Sequence, residues 1–434
     1  MSIVRALLLA LAAFAGLTAL FLGLIVLTDG AGSGLAALLP TVAAGAAVAL
    51  RRSRRRSRAA RLVPFLPVLA AGALAATVCV PVSPTARQYP PDLPFVATEH
   101  WNLPTGSRVA VYHYPPSPGT AAHAVPFVYL NGGPVRGISL MDHRFLQRLA
   151  AQGYDVYTYE QAGGGRSDLL PMDQYSITRS VRDLGAVLER VGRADVLGFS
   201  SGGVVLTNAL ADPAVAARVH RAVIAEPGPM DGPTARITGQ KGQPSARDLA
   251  PAMSGPRSTT TPRYAVAFGL MRLGLLSPGS GLVGQAEGEN AFTAADLGSD
   301  TASAYCAGDA HRIPVENSAE NFAFNPAASL RVEETVKESP SLAPQLKLSQ
   351  VPAMLMIAEC SSQVRQWETA VLDADPAIRR TQYMPGVGHH LWNGLDGNDE
   401  RAAAVITAFL QDAPAPLPDH PTRAEIPAFL ADHK

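Results

Sequence analysis

The residues best suited to chemistry in this sequence form a Gly-x-Ser-x-Gly pattern from Gly198 to Gly202, with Ser200 at its centre. Such a pattern predicts a tight turn between a strand and a helix, which lifts one hydroxyl clear of a buried sheet. The flanking glycines leave room beside a side chain held in a strained turn. An apolar run precedes the pattern and helical spacing follows it, so the setting is the required one. Ser200 is therefore the candidate nucleophile.

A second glycine turn, Asn131 to Pro134, directly follows the apolar run 125–130, which predicts a buried strand. Glycines at the end of a strand leave backbone N–H groups exposed. Such rigidly held donors are needed to bind a negatively charged oxygen. Gly133 is the candidate for one oxyanion donor, and the backbone N–H of Ser201 is the candidate for the other. A plain Gly-Pro turn is the alternative interpretation of this stretch.

Near the end of the chain, the stretch from Gly386 reads Gly-Val-Gly-His-His and supplies His389 and His390. A histidine on a loop facing Ser200 would accept its proton and later return it, because the unperturbed pKa of histidine lies near neutrality. The other histidines show no paired spacing. We therefore expect no metal site and no organic cofactor.

Strands and helices alternate along the rest of the chain, which predicts an α/β fold. Strands are expected at 108–112, 125–130, 154–159, 194–197, 219–225, 353–358 and 380–384. Helices are expected at 140–152, 177–191, 203–210, 264–275, 330–337 and 401–412.

Four motifs in this order, LNGGP, YEQAGGGRS, GFSSG and GVGHH, resemble those of the α/β-hydrolase superfamily. Within it they are most similar to the proline iminopeptidase branch, whose members carry His-Gly-Gly-Pro-Gly and Asp-Gln-Arg-Gly-x-Gly-x-Ser at the first two places. This chain differs from that pattern at Asn131, Val135, Glu160 and Ala162. The resemblance implies a serine hydrolase, and these departures leave its substrate open.

The resemblance also implies a catalytic acid and favours His389 over His390 as the base. The acid usually follows the strand at 353–358, but there the aligned position holds Ser361. A hydroxyl carries no charge at neutral pH and so cannot stabilise an imidazolium. Glu226, 226 − 200 = 26 residues after the nucleophile, occupies the position used by some haloalkane dehalogenases. We expect Glu226 to be the acid, with Glu359 as its rival and an incomplete triad as the remaining alternative.

The resemblance places a largely helical cap insertion at 227–350, between a first hydrolase-core part at 99–226 and a second at 351–413. Residues 84–98 form a proline-rich linker and 414–434 a C-terminal tail. The glycine, serine and proline content of the insertion predicts a mobile lid. Peptidases of the resembled branch grip the substrate's amine with cap carboxylates, while solvated surface glutamates are the alternative. The candidates here are Glu287, Glu289, Glu316 and Glu320.

Residues 1–83 differ from the rest in charge and hydropathy. They hold eight arginines and one acid, Asp29, out of 36 basic and 36 acidic residues, so the remainder carries 28 − 35 = −7. An acidic domain argues against a nucleic-acid partner. Apolar stretches at Val4–Thr28, Gly34–Leu50 and Leu62–Val82 predict about three transmembrane helices. The alternatives are two spans with 34–50 re-entrant, a cleaved signal peptide and a nucleic-acid-binding arginine patch.

The run Arg51–Arg61 between two of these stretches fixes the expected topology, since arginine-rich loops remain in the cytoplasm. The protein is then a multi-pass cell-membrane protein that contacts the bilayer through residues 1–83 and holds its catalytic domain outside the cytoplasm. In that setting Cys306 and Cys360 are able to form a bridge, while sparse cysteines exclude a disulfide framework.

The sequence thus predicts a membrane-anchored serine hydrolase that cleaves an ester, an amide or a short peptide through an acyl-enzyme on Ser200. A proline iminopeptidase-like aminopeptidase fits the same core. A catalytically inactive hydrolase-fold binding protein is the alternative from a different class, because Ser361 replaces the usual aspartate.

Overall fold

The structure is a computed structural model that describes residues 3–30, 66–79, 97–237, 262–277, 280–289, 306, 309, 312, 324–361 and 365–418. The chain divides into two compact units. One, the N-terminal unit, combines Met1–Gln88 with Thr259–Ala291, and the other, the sheet unit, holds Tyr89–Ser258 and Phe292–Lys434. The expected cap insertion is therefore shared between the units.

The sheet unit is built on an 8-stranded mixed sheet in the order β1-β2-β4-β3-β5-β6-β7-β8. The first two strands form an antiparallel hairpin, and β2 pairs antiparallel with β4, while every pairing from β4 to β8 is parallel. The strands are β1 (Glu99–Asn102), β2 (Arg108–Tyr114), β3 (Phe127–Leu130), β4 (Val156–Tyr159), β5 (Ala194–Phe199), β6 (Val219–Ala225), β7 (Ala353–Ala358) and β8 (Ile378–Met384).

The helices numbered here in chain order are α1 (Ile3–Leu27), α2 (Leu66–Cys79), α3 (Leu140–Ala151), α4 (Ile177–Val191), α5 (Ser201–Leu210), α6 (Pro213–Ala216), α7 (Gly232–Ala235), α8 (Pro262–Arg272), α9 (Pro326–Glu338), α10 (Ala343–Leu346), α11 (Arg365–Ala374) and α12 (Asn398–Leu410). Short 3₁₀ turns lie at Met172–Gln174 and Leu395–Gly397.

Helices cover both faces of the sheet because its central strands are apolar on both sides. All six residues of β5 are buried, and Val196 packs in one apolar cluster while its neighbour Leu197 packs in the other. The first cluster takes in residues of α4, α5 and α11. The second takes in residues of α3 and α12. This alternation is what a two-sided parallel sheet requires.

The strands and helices expected in the sheet unit are present, with ends that differ by a few residues. The predicted α/β-hydrolase fold is confirmed in this respect. One cap helix differs in its surroundings: the helix expected at 264–275 is α8 at 262–272, and it belongs to the N-terminal unit. Most of the glycine- and serine-rich part of the insertion lies outside the described residues, so the prediction of a mobile lid stays a prediction.

In the N-terminal unit, α1 contacts α2 and α2 contacts α8. Buried side chains include Phe21 and Ile25 of α1 and Ala75 and Val78 of α2. Among the described residues, no helix has both the length and the apolarity that crossing a bilayer demands. The predicted transmembrane helices are thus not supported by the described part of the chain, and the stretch at 34–50 lies outside it.

Candidate active site

Ser200 lies in the turn between β5 and α5 with a left-handed backbone, φ 53° and ψ −116°. Two glycines make this turn sterically possible. A Cβ on Gly198 would lie 2.4 Å from the carbonyl oxygen of Gly202, and one on Gly202 would lie 2.2 Å from that of Leu130. The backbone N–H of Ser200 donates to the carbonyl of Ala225 at 2.9 Å, which ties the turn to the end of β6.

His389 lies on the loop after β8 with its ring beside Ser200. Its Nε2 is 3.0 Å from Oγ of Ser200, within hydrogen-bond reach. The ring packs against Phe199, with centroids 5.0 Å apart, and the side chain is only 14% exposed. This geometry lets one proton pass directly between the imidazole of His389 and the hydroxyl of Ser200.

Glu226 follows the last residue of β6 and is fully buried, with a left-handed φ of 49°. Its Oε2 is 3.1 Å from Nδ1 of His389. Its Oε1 accepts a hydrogen bond from the backbone N–H of Ala358, the last residue of β7. The carboxylate therefore has one oxygen fixed by the sheet and the other directed at the imidazole.

The structure separates these residues from their rivals. An oxygen of Glu359 accepts a hydrogen bond from the N–H of Gly386 at 2.6 Å, so this carboxylate holds the loop that precedes His389. Ser361 is fully buried, and its Oγ has no partner among the described residues. His390 is buried beside Phe199, with ring centroids 5.7 Å apart.

The glycine turn after β3 lies next to the nucleophile. A Cβ on Gly132 would stand 3.1 Å from Cβ of Ser200, and Gly133 has a left-handed φ of 63°. The Arg136 side chain lies against Gly133, with its Nε 3.2 Å from the position of a Cβ there. The N–H of Ser201 belongs to the first turn of α5, whose donors have no partner within the helix. The glycine turn thus meets Ser200 at Gly132, and the roles of the Gly133 and Ser201 N–H groups as oxyanion donors stay predictions.

Buried polar side chains hold this turn in place, which sequence reasoning did not foresee. Nδ2 of Asn131 donates to the carbonyl oxygens of Arg136 at 3.0 Å and Gly137 at 3.1 Å. Oε1 of Gln161 accepts from the N–H of Val135 at 3.1 Å. Asn131 and Gln161 come from the two family-like motifs, so their positions in those motifs were the available signal.

Glu160 is the third buried residue that supports the turn. Its carboxylate accepts hydrogen bonds from the backbone N–H of Ile138 at 3.1 Å, from the hydroxyl of Tyr112 at 2.9 Å and from the N–H of Arg166. Burial raises the pKa of this carboxyl, while its donors oppose the shift. Glu160, one of the residues that depart from the family pattern, therefore accepts hydrogen bonds from three separate segments of the chain.

Cys306 and Cys360 form a disulfide, which joins the insertion to the turn after β7. The N–H of Cys360 donates to the carbonyl of Val387 at 2.9 Å, on the loop that carries His389. Nearby in sequence, Arg312 pairs with Asp396 at 2.9 Å. The insertion is thus attached to the core at two residues, Cys360, which precedes His389 in sequence, and Asp396, which follows it.

The four cap glutamates do not come together in the described residues. Glu287 is buried and pairs with Arg263 at 2.9 Å within the N-terminal unit, and Glu289 is also buried in that unit. Glu316 and Glu320 lie outside the described residues. In the part of the chain that is described, no three His, Cys, Asp or Glu residues are grouped so as to hold a metal ion.

The sequence model of the family described as "Serine aminopeptidase, S33" matches residues 126–267. No curated protein sequence matches the chain. Among solved structures, an esterase from Rhodococcus sp. ECU1013 is similar at 17% identity, over 74% of this chain and 100% of that one, with a TM-score of 0.51. That likeness shows the fold.

Two further structures are similar at lower TM-scores. An enol-lactonase from Burkholderia xenovorans LB400 has 18% identity over 72% of this chain and 100% of that one, at 0.46. A proline iminopeptidase from Mycobacterium smegmatis has 18% identity over 72% and 98%, at 0.44. The fold and the family match over residues 126–267 together support the α/β-hydrolase superfamily. The superfamily resemblance seen in the sequence is confirmed.

Proposed function

We propose that this protein is a serine hydrolase that cleaves an ester or amide bond through an acyl-enzyme on Ser200. One observation carries the proposal: Ser200 Oγ, the His389 ring and the buried Glu226 carboxylate follow one another at 3.0 and 3.1 Å. A nucleophile, a base within reach and a group that orients the base form the arrangement that activates a serine.

In this mechanism, Nε2 of His389 takes the proton of the Ser200 hydroxyl as Oγ bonds to the substrate's carbonyl carbon. The carbonyl oxygen gains the electron pair, and the N–H groups of Gly133 and Ser201 bind it. The intermediate collapses to the acyl-enzyme, and the leaving group departs with the proton from His389. Water then attacks the acyl-enzyme with His389 again acting as base and then as acid, and the carboxylic acid product leaves Ser200. The negative Glu226 favours the imidazolium throughout.

Labelling of the full-length protein with a fluorophosphonate probe, followed by peptide mapping, tests this proposal. We expect the label on Ser200 and its loss in a His389→Ala variant. His390→Ala is the matched control, because its ring is adjacent in the chain and also lies beside Phe199, whereas the ring atom that lies 3.0 Å from Oγ of Ser200 is Nε2 of His389. A folded protein that takes no label would support the inactive, binding-protein alternative instead.

Aminopeptidase activity is the second candidate, and the family description of the matched region favours it. Peptidases of the resembled branch grip the amine of the substrate with a cap carboxylate. Glu287 is already neutralised by Arg263, so it is not free for that role. A panel of acyl esters and aminoacyl amides distinguishes the two: an esterase prefers the former, whereas an aminopeptidase requires a free amine in the latter.

The proposal includes attachment to a membrane, with Ser200 outside the cytoplasm. Its support is the sequence of residues 1–83, with apolar stretches around an arginine-rich run. The disulfide between Cys306 and Cys360 agrees with this location, because such bonds persist in oxidising compartments. A reporter enzyme that is active only outside the cytoplasm, fused after Ser83, should be active, and an inactive fusion would contradict the topology.

A further inference from the structure

A buried carboxylate outside the proposed triad, Asp142, lies in the first turn of α3 and is 1% exposed. Its Oδ2 accepts from the hydroxyl of Ser139 at 2.7 Å, and its Oδ1 accepts from the hydroxyl of Tyr129 at 2.7 Å. Burial and the nearby Asp142 raise the pKa of Tyr129 well above its ordinary value, so this hydroxyl keeps the proton that it donates. The N-terminal end of a helix also favours a negative charge. Asp142 is therefore a fixed acceptor between α3 and β3.

A further donor to Asp142 comes from the loop of the proposed base. Nε1 of Trp392 donates to the same Oδ1 at 3.0 Å, and Trp392 follows His389 by 392 − 389 = 3 residues. Trp392 is 1% exposed, and its ring stacks on that of Phe145, with centroids 4.5 Å apart and planes at 10°. Stacking holds the plane of a ring but lets it slide, whereas an N–H bond has one preferred direction. The two contacts together fix the indole against α3.

Phe199 connects this indole to the proposed catalytic residues. It immediately precedes Ser200, and its ring centroid lies 5.0 Å from that of Trp392 and 5.0 Å from that of His389. A Cβ on Gly132 would lie 2.7 Å from Cδ1 of Phe199. One ring thus contacts the indole, the proposed base and the glycine turn. Because protein interiors are close-packed, a shift of the indole is passed through this ring to the imidazole.

The loop of His389 is held on both sides in sequence. Before His389, the carboxylate of Glu359 accepts from the N–H of Gly386. After His389, Asp142 accepts from the indole of Trp392. A base that is displaced by about 1 Å from its partner can lose about 10²-fold in rate. A loop that is fixed only on its first side would let the imidazole move by such an amount.

We propose that Trp392 is a positioning residue for the base: its hydrogen bond to Asp142 holds the loop so that the imidazole of His389 stays beside Ser200. This inference rests on the proposed function and adds to it a residue outside the triad. Asp142 also belongs to the segment that follows the glycine turn, so one carboxylate ties that segment to the loop of the base. A purely structural bond would change only the free energy of unfolding, whereas a positioning bond also changes the reactivity of the folded protein.

The test measures the rate at which a fluorophosphonate probe labels Ser200 in the folded, full-length protein. Trp392→Phe removes the donor and keeps an aromatic ring, so labelling should be slower by about 10- to 100-fold. With an ester substrate, kcat should fall by a similar factor while KM changes little. Tyr129→Phe is the matched control, because it removes a donor from the same oxygen and keeps its ring beside Trp392. It should lower stability and leave the labelling rate unchanged.

Variants of Asp142 test the same bond from its other end. Asp142→Ala removes the acceptor and should slow labelling as much as Trp392→Phe does. Asp142→Asn keeps an acceptor oxygen and should recover part of the rate. The double variant, Asp142→Ala with Trp392→Phe, should be no slower than the slower single variant, because both changes break one bond. Losses that multiply in the double variant would overturn the inference.

Proton NMR of the same samples gives a readout that does not depend on activity. The proton between Nδ1 of His389 and Glu226 should give a strongly deshielded signal, which is assigned by its loss in His389→Ala. We expect this signal to shift or broaden in Trp392→Phe and Asp142→Ala, and to stay unchanged in Tyr129→Phe. A folded Trp392→Phe protein with the parental signal and the parental labelling rate overturns the inference.

Two other outcomes are also decisive. If Trp392→Phe does not fold, the comparison of Asp142→Ala with Asp142→Asn decides, and equal labelling rates in these two variants and the parent overturn the inference. If the folded parent takes no label at all, the proposed function fails. The NMR signal then still reports whether the bond between Trp392 and Asp142 holds the ring of His389.

Discussion

The carboxylate of Glu226 connects His389 to the sheet. One oxygen lies 3.1 Å from Nδ1 of the ring, and the other accepts the N–H of Ala358 at the end of the next strand. Because the side chain is fully buried, water does not compete for either bond. The orientation of the imidazole is therefore set from the end of β6.

Replacing Glu226 by glutamine should lower kcat by about 10³- to 10⁴-fold, with little change in KM. The amide has the same shape but carries no charge, and its N–H₂ group directed at Nδ1 favours the ring tautomer that cannot accept the Ser200 proton. Steady-state kinetics on the best ester of the panel measure this effect.

Two variants serve as controls for that measurement. Glu359→Gln keeps an acceptor oxygen for the N–H of Gly386 and should retain most activity. Ser361→Ala removes a buried hydroxyl that has no partner among the described residues, so activity and stability should change little. A larger loss in either variant than in Glu226→Gln would show that the acid has been misassigned.

Glu160→Gln should lower kcat by about 10²-fold, because the turn that carries Gly133 loses a fixed acceptor and the oxyanion donors lose their alignment. Glutamine offers one acceptor oxygen where the carboxylate accepts from three donors. KM should change less than kcat, since the pocket walls remain. Glu160→Asp keeps the charge and should recover part of the activity. A folded Glu160→Gln enzyme with parental kcat would rule out this support.

Asp375 gives a prediction about pH and stability. It follows α11, and burial raises the pKa of its carboxyl from 3.8 to about 6. The folded state then binds more protons than the unfolded chain between about pH 4 and pH 6, so this group's stabilisation falls as pH rises through that range. Its charge also lies at a helix C-terminus, where a negative charge is unfavourable.

Asp375→Asn should therefore stabilise the protein at pH 7, by up to about 3 kcal/mol. The difference should disappear below about pH 4, where both forms are neutral. Thermal unfolding across pH 4 to 8 measures it. The exposed Asp373 on α11 is the control position, where Asp373→Asn makes the same substitution at a side chain that is not buried. If the stability of Asp375→Asn depended on pH as that of the parent protein does, the raised pKa of Asp375 would be contradicted.

Replacing both Cys306 and Cys360 by alanine should lower the free energy of unfolding of the sheet unit by about 2–4 kcal/mol, because the bridge closes a loop across 54 residues. Chemical denaturation gives the value. A reductant should lower the denaturation midpoint of the parent and leave that of the double variant unchanged. If the reductant lowers the denaturation midpoint of both proteins equally, its effect does not come from this disulfide.

Local patterns predicted much of this fold. The bounds of α4, β6 and β7 were predicted to the residue, because each is a continuous run whose periodicity or apolarity is set by its neighbours in sequence. Ser200 was predicted from the glycine pattern around it, and the superfamily resemblance favoured His389 over His390 as its partner. Glu226 was expected because the superfamily resemblance implies a catalytic acid, some members keep it after this strand, and Ser361 at the commoner position has no charge.

Other features could not be predicted because they join residues far apart in sequence. Arg263 meets Val78 across 185 positions, and nothing near either residue signals the other. The place of Glu160 at the centre of a buried network runs against the usual exposure of glutamate. The bridge between Cys306 and Cys360 remained one option among several, because sequence alone does not pair cysteines.

The position of Glu226 has a consequence for how such a protein can change over evolutionary time. The proposed nucleophile and the proposed acid are 226 − 200 = 26 residues apart, and both precede the insertion, so a change in the length of the inserted chain leaves their spacing in sequence unchanged. The turn after β7 then does not supply the proposed catalytic carboxylate, and its Glu359 holds the loop at Gly386 instead. Here it holds Cys360, which fastens the inserted chain. Of the three proposed catalytic residues, only His389 follows the insertion, so it is the one whose position depends on how the inserted chain returns to the sheet.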